Sequence, residues 1–235
     1  MTPLNIGALL YDYQAIDVLG PIDILNSCTK RYMKALQPLS GVTDETISRA
    51  PEFTFYHIGV DKEPFQLLSS DLTIVPSATV DDCPELDILL LGGPDPVNFK
   101  LHPKHADFLR KHVAAGKLLF TNCTGAAVVA STGVLDGKNA TINNLAFNLM
   151  KQTYPNVNWV SDKKWVVDGN IWTGGGAVAG MDMFSYWIKE NYGSDVLAHG
   201  GSMLDFEPRD IKGVQNVIPK RYDESGNQLF THAFP

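Results

Sequence analysis

At 235 residues, with 44% hydrophobic and 19% charged residues, the chain has the composition of an ordinary globular protein, and its length fits one large domain. A formal net charge of −7 and the lack of any Lys/Arg block exclude nucleic acid as the main ligand, because phosphate contacts need clustered cations. Three widely spaced cysteines, Cys28, Cys83 and Cys123, fit a reducing compartment rather than a disulfide framework or zinc site; with no basic signal region and no apolar stretch of spanning length, a cytoplasmic protein without a membrane partner is expected.

Four continuous apolar runs predict buried strands: residues 4–10 (LNIGALL), 54–60 (TFYHIGV), 86–93 (LDILLLGG) and 117–122 (KLLFTN). Unbroken rather than alternating hydrophobicity suits a parallel sheet covered on both faces. A helix is predicted from near Asp17, and another over residues 102–116 that stops at Gly116. The polar stretch 37–52 reads as a surface insertion. Further on, NATIN, VNWV and KWVVDGNIWTGG predict strands, the last folded into a hairpin at VDGN, and a helix follows to Gly193. Alternating strands and helices give the expected class: an α/β doubly wound sandwich with a mostly parallel central sheet. Residues 1–193 form that domain, and residues 194–235 form an extension packed on it.

The segment FTNCTGAAVVA places Cys123 where a strand ends and a small-residue helix begins. Such a junction projects a side chain from the carboxyl edge of the sheet, and a helix N-terminus lowers a thiol's pKa. The competing role is a buried small hydrophobe, the common fate of a free cysteine. Cys28 and Cys83 read as inert. No histidine is a convincing base for Cys123: His102, His105 and His112 belong to a polar helix and its lead-in and read as solvated, and His199 lies too far along the chain to place. Asp17, at the start of the first predicted helix, belongs at the same sheet edge, either as a helix cap or as a carboxyl raised in pKa by burial. Gly92 and Gly93 end the third strand, where their N–H groups could face the thiol; Gly125 follows the elbow, and Gly175 sits in the run Gly174–Gly176. These four glycines are the candidate oxyanion or substrate-binding positions. With Ala179, the late glycine run matches a relaxed dinucleotide pattern, but outside an initial βαβ unit, so close backbone packing is the preferred reading and neither cofactor nor metal is expected. Core packing is likewise expected for Trp159, Trp165 and Trp172.

These motifs together resemble a family. NCTGAAVVASTGVLDGKNAT is similar to the nucleophile elbow of the DJ-1/PfpI (ThiJ/PfpI, class I glutamine amidotransferase-like) superfamily, in the branch holding isonitrile hydratases and the amidotransferase-like domains of some transcription regulators. Asp17, Gly20 and Pro21 match a second block, and Asp168 through Asp182 a third. The resemblance implies a flavodoxin-like fold, a homodimer and a cofactor-free cysteine nucleophile acting on a small molecule. In isonitrile hydratases the residues matching Cys123, Thr124 and Asp17 carry the hydration of an isonitrile to an N-substituted formamide, so the resemblance implies an isonitrile hydratase-like lyase. Two departures bear on that. Asn143 stands where the branch commonly has histidine, which excludes a Cys–His pair there, and the acid is Asp17 where glyoxalase- and deglycase-like members use glutamate. Glyoxalase-like or small-amide chemistry, and a non-catalytic redox or stress-response role, stay open as alternatives. No helix-turn-helix module is expected after the domain.

Overall fold

The computed structural model describes residues 2–206 and 208. The first apolar run forms β1 (Leu4–Leu9), followed by α1 (Ile16–Ser27), α2 (Lys30–Ser40) and α3 (Asp44–Arg49). Next come β2 (Phe53–Gly59), the short strands β3 (Phe65–Gln66), β4 (Thr73–Ile74) and β5 (Ala78–Thr79), then β6 (Ile88–Leu91), α4 (Pro103–Ala114) and β7 (Leu118–Asn122). After β7 come α5 (Gly125–Ala130), β8 (Asn139–Ala140), α6 (Phe147–Thr153), β9 (Asn158–Trp159), the hairpin β10 (Trp165–Asp168) and β11 (Ile171–Gly174), and the helices α7 (Ala177–Tyr192) and α8 (Ser194–Met203).

The main sheet has seven strands in the order β10-β11-β7-β6-β1-β2-β5, all parallel except β10. The expected class is correct: a three-layer α/β sandwich of flavodoxin-like type. The chain leaves β1 towards one edge and β6 towards the other. Right-handed crossovers therefore put α1 and α4 on opposite faces and open a crevice at the carboxyl ends of those two strands. On the α1 face, α7 packs along α1 and α8 closes against both. Phe120 of β7, fully buried, stacks on Phe184 of α7 at 4.2 Å and on Trp172 of β11 at 5.1 Å, so the strand that leads to Cys123 is locked from the side and from below. Trp165 is buried, and Trp159 and Trp172 pack against the same core.

Residues 37–52 are not a surface loop. The stretch finishes α2, turns at Gly41 (φ +65°) and forms α3, with Val42, Ile47 and Ala50 buried. Thr43 caps α3 by accepting from the Thr46 N–H at 3.1 Å, and Thr46 and Arg49 both bind Asp195 at the start of α8. Polar composition hid a short helix that buries only Thr46 and Ile47. The extension expected from residue 194 begins as α8, packed on the domain; residues 209–235 lie outside the described residues. NATIN and VNWV form only the two-residue strands β8 and β9, paired with each other rather than with the main sheet.

One hydrogen bond joins the sheet to α1. Pro21 lies inside α1 and has no N–H, so the Asp17 carbonyl four residues earlier loses its helical donor. The buried Asn122 side chain replaces it: Nδ2 donates to the Asp17 carbonyl at 2.6 Å. Asn122 in turn shapes its surroundings, since a Cβ at Gly180 of α7 would lie 2.3 Å from its amide and one at Gly174 would lie 2.8 Å away. The amide oxygen, Oδ1, has no partner, so the contact rests on Nδ2 alone. Replacing Asn122 with alanine leaves a buried carbonyl without a donor and is expected to cost about 1–3 kcal/mol by denaturant unfolding. Adding Pro21→Ala supplies an N–H to the same carbonyl, so the double variant should regain part of that loss. Strictly additive effects of the two substitutions would contradict the linkage.

Candidate active site

Cys123 has φ +57°, a left-handed backbone that β-carbon-bearing residues rarely adopt. The strain is held in place on both sides. The Cys123 N–H continues the β7–β11 ladder by donating to the Gly174 carbonyl at 2.9 Å, and α5 starts two residues later. Gly125 lets α5 press against the end of β6: a Cβ there would lie 2.9 Å from the carbonyl oxygens of Leu91 and Gly92. The result is a strand–turn–helix elbow with a half-buried sulfur at its tip.

Asp17 reaches the same point from α1. It is fully buried and does not cap its helix; instead Oδ2 accepts the Gly93 N–H at 2.8 Å. Oδ1 has no hydrogen-bond partner among the described residues, and the Cys123 side chain lies close enough to act on the carboxyl electrostatically. Burial pushes the Asp17 pKa up to about 6, against the opposing pull of the Gly93 N–H and the Cys123 side chain. The thiol differs from expectation. Burial, then the Asp17 charge, hold Cys123 above the usual cysteine range, although the Thr124 N–H and the Asn143 side chain favour the thiolate. The helix N-terminus does not win: at neutral pH the pair is a thiol facing a mostly ionised carboxylate. Cys28 and Cys83 are pushed higher still, to about 12 and 11, mainly by burial.

The glycines divide. Gly93 belongs to the site, but its N–H is spent on Asp17 and is not free for an oxyanion; a Cβ there would lie 2.5 Å from Thr124 Oγ1 and 2.9 Å from Cys123 Cβ. Gly92 sits behind it, its carbonyl accepting from the Tyr11 hydroxyl at 2.6 Å. Gly175 is not at the elbow: its N–H donates to the Lys164 carbonyl, and it lines a different depression, beside Asn144. Its neighbour Gly174 is the one that touches Cys123. Thr124 is placed as expected beside the sulfur, with its hydroxyl donating to the Pro94 carbonyl at 2.6 Å.

Asn143 is the residue whose role the sequence did not reveal. Its Oδ1 accepts from the Leu145 N–H at 3.0 Å, which turns Nδ2 towards the sulfur as a donor of fixed polarity. Together these groups floor a cleft of about 430 Å³. Its mouth is mostly apolar: Leu68, Val97, Leu145 and Leu149 line it together with Gln14 and Asp95, and Leu145 is 97% exposed. Among the described residues, no lysine, arginine or histidine lines the cleft. The helix histidines are not solvated as a group either: His105 and His112 are buried, while His102 is exposed and caps α4 by accepting from the Lys104 N–H.

The DJ-1/PfpI family model matches residues 9–190. The chain belongs to the DJ-1/PfpI family. Among characterised proteins it is similar to the isonitrile hydratase of Pseudomonas putida, 29% identical over 208 residues that cover 87% of this chain and 79% of that protein. It is also similar to the HTH-type transcriptional regulator GbdR of Pseudomonas aeruginosa, 29% identical over 143 residues, of whose length the match spans 39%. In fold it resembles a ThiJ/PfpI family protein from Pseudomonas syringae (TM-score 0.69, 20% identity, 89% of this chain and 78% of that one) and Drosophila melanogaster DJ-1beta (TM-score 0.66, 19% identity, 88% and 100%). Within this DJ-1/PfpI chain, no helix among the described residues is long and apolar enough to cross a membrane.

The raised Asp17 pKa has a consequence for stability. The folded state binds a proton more tightly than the unfolded chain, whose carboxyl titrates near 3.8, so stability falls as pH rises from about 4 through about 6. The shift corresponds to about 3 kcal/mol. Asp17→Asn, which retains an acceptor for the Gly93 N–H, is expected to remove this pH dependence. By urea midpoint it should match or trail the wild type at pH 4 and exceed it at pH 7.5. A wild type equally stable at both pH values, once other groups are accounted for by the variant, would contradict the burial of a charged Asp17.

Proposed function

We propose that the protein hydrates a small neutral isonitrile to an N-substituted formamide, with Cys123 as nucleophile and Asp17 as the proton-transfer group. The observation that carries this reading is the pairing of a thiol that lines the cleft with a carboxyl buried behind it whose pKa lies near 6, no histidine lining the cleft among the described residues. Asp17 takes the thiol proton as the sulfur attacks the terminal isonitrile carbon, then delivers that proton to the same carbon. The product is a thioimidate, R–N=CH–S–Cys123. Asp17, again ionised, draws a proton from a water that adds to this carbon and passes it to the substrate nitrogen; the C–S bond then breaks as the hydroxyl proton of the adduct moves to the leaving sulfur, and R–NH–CHO leaves. The Asn143 Nδ2–H and Thr124 N–H face the reacting sulfur, where they can stabilise negative charge developing on the substrate nitrogen. A mostly apolar mouth without cations suits a neutral substrate, and the likeness to the Pseudomonas putida enzyme points the same way.

Amide hydrolysis fits less well, since a poor amine leaving group calls for an acid stronger and better placed than an aspartate already used by the thiol. A redox-sensor role is disfavoured by the thiol itself, because oxidation follows thiolate content and Cys123 is held above the usual range. We also read the protein as a homodimer, on the family resemblance.

In an assay against alkyl and aryl isocyanides, the wild type should form the formamide. Cys123→Ala should abolish turnover, and Asp17→Asn should lower kcat/KM on the order of 10²–10⁴-fold. Because Asp17 must be ionised to accept the thiol proton, wild-type kcat/KM should rise with pH through an apparent pKa near 6, a limb that Asp17→Asn lacks. No turnover across a range of isocyanides, with lactate formed from methylglyoxal instead, would replace this reading by a glyoxalase-like one.

A further inference from the structure

The peptide unit that joins Gly92 to Gly93 is gripped at both ends by the stretch that runs from β1 into α1. Its carbonyl, the Gly92 oxygen, accepts the Tyr11 hydroxyl at 2.6 Å, and its N–H, on Gly93, donates to Asp17 Oδ2 at 2.8 Å. The oxygen and hydrogen of a trans amide point in opposite directions, so hydroxyl, amide and carboxylate form one chain of hydrogen bonds. Bonds joined in this way polarise one another: a donor on the carbonyl draws electrons towards its oxygen and makes the N–H a stronger donor.

The chain is held in place along its length. The buried Tyr11 ring packs edge-on against Tyr13 at 5.4 Å and meets Phe99 at 5.0 Å. Its hydroxyl keeps its proton, because burial, then the Tyr13 and Asp17 charges, hold its pKa well above the ordinary tyrosine value. The Gly93 carbonyl accepts the Gln14 N–H at 3.0 Å. A Cβ at Gly92 would lie 3.0 Å from the Tyr13 ring and from Val18, so glycine lets the amide sit this close. Among the described residues, the titratable groups that act on Asp17 are Cys123 and Tyr11. His105, whose ring stands 6.4 Å from that of Tyr11, is pushed down to about 4 by burial and is neutral where Asp17 titrates. α7 meets α1 at Gly20 through the uncharged Met181, and its buried Asp182 is paired with Lys164.

We propose that Tyr11 is a positioning residue of the candidate active site, its hydroxyl fixing and polarising the Gly92–Gly93 amide and, through that amide, setting the orientation and basicity of the Asp17 carboxyl. The inference rests on Asp17 as the proton-transfer group of the proposed reaction, but not on which substrate the site takes.

Tyr11→Phe removes the hydroxyl and keeps the ring. Followed by carboxyl 13C NMR of the full-length protein, with the Asp17 signal assigned by its loss in Asp17→Asn, the variant should raise the Asp17 midpoint by about 0.2–0.6 pH units. Tyr13→Phe is the control: that hydroxyl is buried but has no hydrogen-bond partner, so its loss should leave the midpoint in place. In the unaltered protein, the Tyr11 Cζ and Gly92 carbonyl resonances should move together through the Asp17 midpoint and stay flat over that range in Asp17→Asn, a readout that does not need Tyr11→Phe to fold. Where isocyanides are turned over, the acid limb of kcat/KM should shift by the same amount with KM unchanged, since Tyr11 does not line the Cys123 cleft. The proposal is overturned if Tyr11→Phe leaves the midpoint unmoved, if Tyr13→Phe moves it as far, or if the Tyr11 Cζ resonance ignores the Asp17 titration. None of these three results requires turnover, so a lack of isonitrile hydration would sink the proposed reaction and leave them standing.

Discussion

The arrangement of the reactive groups depends on one hydrogen bond, from Asn122 Nδ2 to the carbonyl of Asp17. It exists because Pro21 denies that carbonyl its ordinary helical donor. The bond ties the residue just before Cys123 to the backbone of the residue whose carboxyl meets the sulfur, so elbow and acid are positioned by the same contact. Glycines at 174 and 180 are then needed to make room for the Asn122 side chain. Three stretches far apart in the chain therefore have one reason to keep their composition: the Asp17–Pro21 spacing, the residues around Cys123, and the glycine run that opens α7.

The electrostatics of the pair follow from burial more than from the helix terminus. A six-residue α5 offers only a few oriented amides, while the Asp17 carboxylate stands directly against the thiol. Two groups that would each carry negative charge when ionised cannot both ionise cheaply in one dry crevice, so the proton is retained and shared between them. That changes what the neighbouring position should be. A histidine at 143 would compete for the same proton and add a charge of its own in acid. An asparagine whose oxygen is fixed by the Leu145 N–H presents an N–H and nothing else, at every pH.

Much of the fold could be read from the chain. Continuous apolar runs gave the buried parallel strands β1, β2, β6 and β7, and Gly169 gave the β10–β11 hairpin, because these signals are local. The elbow was legible for the same reason: a strand, one cysteine and small residues within ten positions. What escaped were contacts between remote segments. The α3 helix looked like loop because it buries only Thr46 and Ile47, flanked by the buried Val42 and Ala50, and its polar residues find partners on α8 that no local pattern announces. His105 and His112 read as solvated on a polar helix, yet they lie on its inner side. Gly93 lies just past the strand whose carboxyl edge the sequence marked, but which atom its N–H meets depends on the depth of Asp17, a tertiary fact. Thiol ionisation was misjudged because a helix dipole can be inferred from sequence while desolvation cannot.

The site is also costly to the fold in two identifiable ways. Cys123 occupies a left-handed backbone, and Asp17 is a carboxylate kept from water with one oxygen unpaired by the backbone. Neither would persist in a loosely packed segment. Both are enclosed by the centre of the parallel sheet and the closely packed α1–α7 contact, with Phe120 stacked on Phe184 beneath the elbow. The segment after β6 contributes on both sides. Gly93 N–H holds Asp17, the Gly93 carbonyl accepts from the Gln14 N–H at 3.0 Å, and the Gly92 carbonyl is held by Tyr11. Residues 94–97 wall the cysteine cleft and Phe99 walls a second cavity beyond the carboxyl ends of β1 and β2, so a single short segment, bolted at its start, separates the two cavities. Because that start is fixed by the same N–H that holds the acid, any movement of the segment large enough to reshape either cavity must first break the contact that positions Asp17.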